Sequence, residues 1–202
     1  MSELTDLYKQ IVVCTNCELH RTRMKGVPGE GPENSQIMFI GEGPGFNENQ
    51  QGRPFVGAAG QFLEALLKSI GLKRSDVYIC NVVKCRPPEN RDPLPAEIAA
   101  CRHFLDRQIA FIKPKLIVTL GRYSMAPYFP GESISKVHGQ ARKWGEQVVV
   151  AMFHPAAALH QPKYKTEIET DFKKLPRYLA NLTQSEEPKQ QKPTNPEQLS
   201  LF

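Results

Sequence analysis

A short apolar run that ends in a glycine-rich turn is the feature that most restricts the fold of this 202-residue chain. The run covers residues 36–40, and Gly41–Gly45 follows with three glycines and a proline in five residues. An apolar run of this length is typical of a buried strand, and glycine and proline at this density cannot continue it. The chain must therefore turn sharply at the strand's carboxyl end, where open α/β sheets bind ligands.

The same turn carries two carboxylates, Glu42 and Glu48, and a second glycine-rich segment, residues 52–57, follows it. Glycines let a ligand approach the backbone closely. Carboxylates are an unusual lining for a phosphate-binding loop, because they repel an anion. We therefore predict a pocket for a neutral, planar ligand that forms hydrogen bonds.

Three more apolar runs are predicted to be strands, at residues 77–83, 116–121 and 148–153. Helices are expected at residues 3–13, 62–70, 96–112 and 166–182, the last with a kink or break at Pro176. Strands that alternate with helices indicate a parallel sheet covered on both faces. The expected fold class is α/β, a three-layer αβα sandwich around a four-stranded parallel sheet.

Composition excludes few classes of protein. The net charge of +5 is compatible with a nucleic-acid partner but does not require one. No apolar run approaches the roughly 20 residues that span a bilayer, and the acidic N-terminus lacks the apolar segment of a signal peptide. We therefore expect a cytoplasmic protein without a membrane partner, in which the five cysteines serve a metal or catalysis rather than disulfides.

Four of the cysteines form a pattern that suits a metal centre. Cys14 and Cys17 have two residues between them, so both sulfurs can reach one centre. Cys85 follows the second strand and Cys101 lies on the next helix, whereas Cys80 falls inside the strand and is expected in the core. Four thiolates suit zinc or an iron–sulfur cluster. Zinc sites usually repeat the close pair, which here is replaced by a pair split by fifteen residues, and both alternatives stay open on ligand type.

An ordered set of motifs resembles the family-4 uracil-DNA glycosylases, the iron–sulfur members of the uracil-DNA glycosylase superfamily. The motifs are Cys14-x-x-Cys17, Gly41–Gly45, Gly52–Gly57, Asn81 with Lys84–Pro88, Cys101 and His154–Ala158. The resemblance implies that Cys14, Cys17, Cys85 and Cys101 hold a [4Fe–4S] cluster. It also implies an enzyme that flips uracil out of DNA and hydrolyses its N-glycosidic bond, which leaves an abasic site.

The resemblance implies a set of residues that bind the uracil: Gly41, Glu42, Gly43, Glu48, Phe55, Asn81 and His154. Phe55 is expected to stack on the base. One amide, that of Asn81, can donate to a carbonyl and accept from an N–H, which matches the O4 and N3–H of uracil. Glu48 is expected against the C5 edge, where it would exclude the methyl group of thymine.

Catalytic roles are expected for His154 and Glu42. Cleavage leaves negative charge on the departing uracil, and a donor aimed at its O2 stabilises that charge. His154 is the expected donor, together with backbone N–H groups near Gly43. In family 1 an aspartate positions the attacking water, and Gly43 occupies that place here, so Glu42 is expected to orient the water or stabilise the sugar cation. Asn49 departs from the family pattern, in which an aspartate is more usual.

Contacts with DNA are expected from loops at the same edge of the sheet. The basic residues expected to bind phosphate are Lys84, Arg86, Arg91, Lys163 and Lys165. Residues 156–161 are expected to wedge the duplex, with Leu159 as the largest apolar side chain. One subgroup of relatives traps itself covalently on abasic DNA through a basic loop with a histidine. His138 lacks that context, so ordinary turnover is expected.

The tail differs in composition from the rest of the chain. Residues 1–184 are expected to form one domain, and residues 185–197 are too polar to order themselves. The last five residues resemble the bacterial sliding-clamp binding peptide and are Gln198, Leu199, Ser200, Leu201 and Phe202. Spaced apolar anchors on a flexible linker suit a preformed pocket. The chain is therefore expected to be a bacterial monomer that binds the clamp.

Two other functions compete with this interpretation. The first is a non-catalytic, metal-stabilised module that binds DNA or senses redox state, which has no need for a base pocket. The second is an α/β enzyme that binds a small molecule or nucleotide. The sequence lacks a phosphate-loop lysine motif and an intact G-x-G-x-x-G fingerprint, which disfavours the second.

Overall fold

The computed structural model describes residues 2–184. The predicted linker and clamp-binding peptide lie outside the described residues. Within residues 2–184, none of the helices is long and apolar enough to cross a membrane.

One five-stranded sheet forms the centre of the fold, in the order β2-β1-β3-β5-β4. The strands are β1 Ile37–Gly41, β2 Tyr78–Asn81, β3 Leu116–Leu120, β4 Ala141–Trp144 and β5 Gln147–Met152. β1, β2, β3 and β5 pair in parallel, which confirms the four predicted strands. Because β1 pairs with β2 on one side and β3 on the other, the chain changes direction across the sheet there, and such a point commonly holds the ligand.

The fifth strand was not predicted. β4 pairs antiparallel with β5 and forms one edge of the sheet. Its residues are Ala-Arg-Lys-Trp and are mostly exposed, so they show none of the apolar alternation by which a strand is recognised in sequence. Pairing with β5, rather than burial, defines this strand.

Nine α-helices and three short 3₁₀ helices lie within residues 2–184, and the α-helices are numbered in chain order. They are α1 Glu3–Val13, α2 Phe46–Gln51, α3 Ala58–Ser69, α4 Pro95–Ile112, α5 Arg122–Met125, α6 Ile134–Val137, α7 Ala156–His160, α8 Pro162–Phe172 and α9 Leu175–Gln184. The last expected helix is divided into α8 and α9, and Pro176 lies in the first turn of α9, where a proline is tolerated. α2 was not predicted, because it begins directly after the glycine-rich turn.

Alternate residues of the buried strands pack on opposite faces of the sheet. Met38 and Ile40 of β1 join a core with α1 and α4, whereas Ile37 and Phe39 join a core with α3 and α8. Phe39 stacks on Phe172 of α8 with ring centroids 5.8 Å apart. The structure is therefore the predicted three-layer sandwich. Cys80 is fully buried in the core as expected.

The outer edge of β2 is covered by a loop. Glu30 forms an isolated antiparallel bridge to Ile79, with backbone N–O distances of 2.9 and 2.7 Å. Further along, the Val27 N–H donates to the carbonyl of Lys84 at 2.8 Å. These bonds fix the loop before β1 against the segment that follows β2.

Candidate active site

A cavity of about 460 Å³ opens at the carboxyl ends of β1, β2 and β5. It is lined by six of the seven predicted base-binding residues: Glu42, Gly43, Glu48, Phe55, Asn81 and His154. The seventh, Gly41, is buried at the end of β1 and pairs with Asn81 across the sheet. A side chain at Gly41 would collide with the Asn81 carboxamide and the Phe55 ring, so glycine there makes room for both.

Asn81 has an unpaired acceptor. Asn81 is only 1% exposed. Among the buried side-chain nitrogen and oxygen atoms of residues 2–184, its Oδ1 is the one without a hydrogen-bond partner. A buried acceptor without a partner costs roughly 1–3 kcal/mol. Because Asn81 lines the cavity, a ligand that donates a hydrogen bond can recover that energy.

His154 follows β5 and presents a defined ring nitrogen. The backbone N–H of Ala156 donates to His154 Nδ1 at 3.1 Å, so Nδ1 is the acceptor and the proton of the neutral ring lies on Nε2. Burial lowers the pKa of His154 to about 4, against an opposing effect of Glu48. The imidazole is therefore neutral near pH 7, with Nε2–H as a donor.

Phe55 stacks on His154, with ring centroids 5.5 Å apart and planes inclined by 26°. Its backbone has φ of +50°, a conformation that costs a bulky residue free energy. Arg74 restrains it by donating from Nη1 to the Phe55 carbonyl at 2.9 Å and from Nη2 to the Pro54 carbonyl. Any side chain at Gly60 would collide with that Phe55 carbonyl. These contacts stabilise the strained turn that presents the ring.

Glu48 joins the two glycine-rich segments. Its Oε1 accepts from the Val56 and Gly57 N–H groups at 2.8 Å each, and its Oε2 accepts from Gly45 N–H at 3.1 Å. Charge-assisted bonds to a carboxylate are stronger than neutral ones. Glu48 therefore holds the turn after β1 against the Phe55 segment, in addition to lining the cavity.

Glu42 lies at the end of β1 and its ionisation is perturbed. Burial, together with the nearby Asp92 carboxylate and against the opposing effect of Arg122, raises the pKa of Glu42 to about 7. Asp92 accepts a hydrogen bond from Arg122, so this ion pair lies close to the Glu42 carboxyl. A carboxylate that titrates near neutral pH in a cavity is typical of an active site.

Besides Arg91, seven residues line the cavity without having been assigned to the base pocket: Pro44, Gly45, Ala59, Pro87, Asn90, Ala156 and His160. Arg91 also lines it, and its guanidinium binds Glu97 through two bonds of 2.9 and 2.7 Å. Pro44 and Gly45 belong to the turn for which the sequence predicted a pocket. The others could be found only from the folded positions of α3 and of the segments after β2 and β5.

The expected phosphate contact by Lys84 is wrong. Lys84 is 1% exposed, and its Nζ donates to the carbonyl of Asn81 at 2.7 Å and to Gln108 Oε1 at 2.6 Å. Gln108 lies on α4 and is itself fully buried. Lys84 therefore supports the segment after β2 from inside the protein and cannot reach DNA.

The other basic residues expected to bind DNA remain accessible. Arg91, Lys163 and Lys165 are exposed, and Arg86 is partly exposed. Leu159, the expected wedge residue, is 52% exposed on α7, next to the cavity-lining His160. These roles stay predictions.

Asn49 and His138 were also singled out in the sequence, and the structure shows the contacts of both. Asn49 is buried, and its Oδ1 accepts from the Met24 N–H at 2.8 Å, so it anchors a loop and does not line the cavity. His138 Nδ1 lies 2.7 Å from Asp171 Oδ2, and its ring contacts Phe153 at 4.6 Å.

The four cysteines expected to bind metal lie around one small cavity. Cys14 and Cys17 enter it from the segment after α1, Cys85 from the segment after β2, and Cys101 from α4. All are free thiols. Within residues 2–184, no group of three or more His, Cys, Asp or Glu side chains is arranged to hold one metal ion. All four cysteines nevertheless line the same cavity.

Hydrogen-bond donors point at these sulfurs. Arg23 Nη1 donates to Cys85 Sγ at 3.0 Å, and the backbone N–H of Lys84 donates to Cys101 Sγ at 3.3 Å. Burial raises the pKa of the Cys101 thiol to about 11 and also raises those of Cys17 and Cys85. Coordination to a metal deprotonates such thiols, and the donors stabilise the negative charge on sulfur.

An α/β fold whose mostly parallel sheet carries this pocket at the carboxyl ends of its strands defines a class of protein. The profile of the Uracil DNA glycosylase superfamily matches residues 28–179, a range that contains every residue of the pocket. The fold and site are therefore those of that superfamily.

Individual relatives narrow the assignment. A type-4 uracil-DNA glycosylase of Archaeoglobus fulgidus is 47% identical over 184 residues, which cover 87% of this chain and 92% of the relative. The type-4 enzyme of Sulfurisphaera tokodaii is 49% identical, with 87% and 84% covered. That of Thermotoga maritima is 49% identical, with 75% and 80% covered, and agrees with the expected bacterial source. The chain belongs to the type-4 uracil-DNA glycosylase family.

The perturbed carboxyl predicts an effect on stability. The folded state holds the Glu42 proton up to about pH 7, whereas the unfolded chain releases it near pH 4.3. The stabilisation that this bound proton gives the folded state is complete below the unfolded-state pKa of about 4.3. It is lost as the pH rises through the folded-state pKa of about 7. The melting temperature of Glu42→Gln minus that of wild type should therefore be larger at pH 8.5 than at pH 5. An equal difference at both pH values would contradict the shifted pKa.

Proposed function

We propose that this protein excises uracil from DNA by hydrolysing its N-glycosidic bond, which leaves an abasic site for base excision repair. The observation that carries the proposal is the buried, unpaired Asn81 Oδ1 in the cavity. A flipped uracil donates its N3–H and recovers the energy of that unpaired acceptor. The names of the type-4 relatives support the same reaction.

Selection of uracil follows from the amide at Asn81. Its Oδ1 accepts from N3–H and its Nδ2 donates to O4, whereas cytosine presents a bare nitrogen and an amine at those positions. Phe55 provides the stacking surface for the flipped base. Glu48, held by three backbone N–H groups, lies against the C5 edge and excludes the methyl group of thymine.

His154 stabilises the leaving group. Its neutral ring, with Nδ1 bonded to Ala156 N–H, directs Nε2–H to the uracil O2. Negative charge grows on that oxygen as the glycosidic bond breaks, and a fixed donor in a buried site is strongest there. Because the pKa of His154 is about 4, this donor needs no change of protonation between pH 5 and 9.

Glu42 acts on the other side of the bond. As a carboxylate it orients the attacking water and stabilises the positive charge on the sugar. Gly43 leaves no room for a neighbouring carboxylate, because an added Cβ would lie 2.8 Å from Val83 Cγ2. Glu48, the other carboxylate of the turn, is engaged by three backbone N–H groups, so we assign this step to Glu42.

We propose that Cys14, Cys17, Cys85 and Cys101 hold a [4Fe–4S] cluster. Support comes from the cavity that all four line and from the N–H donors to Cys85 and Cys101. A four-iron cluster is wider than one ion, so its thiolates surround a space. When bound, the cluster braces the loops that carry the pocket, since hydrolysis transfers no electrons.

Several partners follow from this function. Arg86, Arg91, Lys163 and Lys165 bind phosphates of single- or double-stranded DNA, and residues 156–161 wedge the duplex through Leu159. Turnover is ordinary, without a covalent protein–DNA product at His138. We further propose that one domain, residues 1–184, acts as a monomer in the cytoplasm at the nucleoid. Residues 185–197 link it to residues 198–202, which bind the sliding clamp.

A non-catalytic iron–sulfur module that binds DNA or senses redox state is not favoured. Such a module does not need a cavity in which a stacking ring, an unpaired amide and a neutral histidine converge. The relatives named as glycosylases also disfavour it.

We predict that the protein cleaves DNA substrates at uracil. Wild type incubated with a labelled oligonucleotide that carries one uracil, then treated with hot alkali, should cut the strand there and spare thymine and cytosine. Asn81→Ala should lower kcat/KM roughly 10- to 100-fold, because two hydrogen bonds of about 1 kcal/mol each are lost. Its melting temperature should not fall, because the deleted Oδ1 has no protein partner. Full activity of the variant would remove Asn81 from base recognition.

The pH dependence should report Glu42. With its pKa at about 7, the fraction of carboxylate grows as pH rises, so single-turnover excision should accelerate between pH 6 and 8 and then level. Glu42→Gln should be slower and should lose this rise, while its affinity for abasic product DNA stays unchanged. A wild-type rise that persists in Glu42→Gln would assign it to another group.

Loss of one ligand should remove the cluster. Cys101→Ala should lose the brown colour and most of the bound iron, because three thiolates remain. Cys80→Ala is the matched control, since Cys80 is also buried but lies outside the cavity, and it should keep both. A colourless wild type with one bound zinc per chain would contradict the iron–sulfur proposal.

Deletion of residues 198–202 tests the clamp contact. The truncated protein should lose binding to a bacterial sliding clamp in surface plasmon resonance and keep full activity on naked DNA. A variant with the five residues in scrambled order controls for the length and charge of the tail. Clamp binding that survives the deletion would overturn the contact.

A further inference from the structure

Phe46 and Arg86 form an exposed pair at the rim of the cavity. Phe46, the first residue of α2, is 52% exposed, although phenylalanine has no polar atom that would favour contact with water. The Arg86 guanidinium carbon lies 5.4 Å from the centre of its ring, within the range of a cation–π contact. The pair is therefore a preformed surface with an aromatic face and a planar cation.

The chain places this pair beside the cavity. The cavity is lined by Gly45, which precedes Phe46, and by Pro87, which follows Arg86. Asn90 also lines the cavity, and its Oδ1 accepts from Arg86 Nε at 2.7 Å. Each member of the pair thus lies one residue from a residue that lines the pocket, Phe46 at the start of α2 and Arg86 in the segment after β2.

The loop that carries Arg86 is held in a strained conformation. Glu89 and Asn90 are consecutive non-glycine residues with φ of +54° and +56°, a conformation that costs such residues free energy. The Arg86–Asn90 bond fixes one side of this turn. On the other side, Arg91 binds Glu97 of α4 through two hydrogen bonds. The position of the Arg86 guanidinium is therefore fixed before any ligand binds.

We propose that Phe46 and Arg86 bind the nucleobase next to the flipped uridine in the same DNA strand. This inference rests on the proposed function. Extrusion of uracil leaves its neighbour without a stacking partner, and an exposed ring beside the cavity replaces that partner. Every base has a π-face, so the contact is independent of sequence. The apolar ring selects a base over a phosphate, and Arg86 retains guanidinium N–H groups beyond Nε for the adjoining phosphate.

The subsite makes a prediction that depends on the substrate. Phe46→Ala should raise KM roughly tenfold on a single-stranded oligonucleotide whose uracil has bases on both sides. The reason is that stacking of one base on an aromatic ring strengthens binding by about this factor. The kcat should not change, because Phe46 lies outside the pocket. When both flanking nucleotides are abasic spacers, wild type and Phe46→Ala should have the same KM. Phe46→Tyr keeps the aromatic face and should behave as wild type.

Trp144→Ala is the matched control variant. Trp144 is an exposed aromatic residue, 48% accessible, but it pairs with Gln147 at the start of β5, the opposite end of the sheet from the cavity. Its KM on both substrates should equal that of wild type. An equal increase for Trp144→Ala and Phe46→Ala would show a general loss of surface and overturn the subsite.

A binding measurement tests the contact without turnover. The substrate carries 2′-fluorinated deoxyuridine, whose fluorine resists glycosidic cleavage, with fluorescent 2-aminopurine on one side. Wild type should quench the 2-aminopurine on binding, and Phe46→Ala should not. If wild type excises uracil but Phe46→Ala matches it in KM and quenching, the subsite is wrong and the proposed function stands. If wild type excises no uracil from either substrate, both fail.

Discussion

The structure depends on the buried hydrogen bonds of Lys84. Its Nζ joins the carbonyl of Asn81 to Gln108 of α4, and Gln108 donates in turn to the carbonyl of Pro28 at 2.7 Å. The main-chain N–H of Lys84 donates to Cys101 Sγ. Polar groups buried this deeply stabilise a protein only when each is paired, so these bonds fix the strand end, the helix and the loop in one arrangement.

Two sites share that arrangement. Asn81 lines the base cavity and Cys85 lines the cysteine cavity, and only three residues separate them along the chain. Whatever fixes the cysteines therefore also fixes the Asn81 amide in the cavity. The cluster proposed for these cysteines would therefore support the pocket without taking part in bond cleavage, because preorganised donors and acceptors need no rearrangement when a ligand arrives.

The sequence predicted the parts of the site that follow apolar strands. The convergence of Asn81, His154 and the Gly41–Gly45 turn could be predicted because the carboxyl ends of parallel strands meet at one edge, whereas the roles of Asn81 and His154 depended on the family resemblance. Contacts between residues distant in sequence could not. The burial of Lys84 depends on Gln108, and lysine is rarely buried. Likewise, nothing local indicates that Arg74 restrains the backbone of Phe55. β4 lacked an apolar pattern, and the choice between zinc and an iron–sulfur cluster depended on family resemblance, since the four thiolates are common to both.

Both edges of the sheet are covered or charged. The Glu30 bridge occupies backbone groups of β2 at one edge, and the other edge is the four-residue β4, which carries Arg142 and Lys143. Exposed strand edges are where copies of a protein add to one another and aggregate. A short, basic edge strand and an occupied edge strand both oppose that association. The same sheet that gathers the candidate active site is thus protected against edge-to-edge association with other copies of the protein.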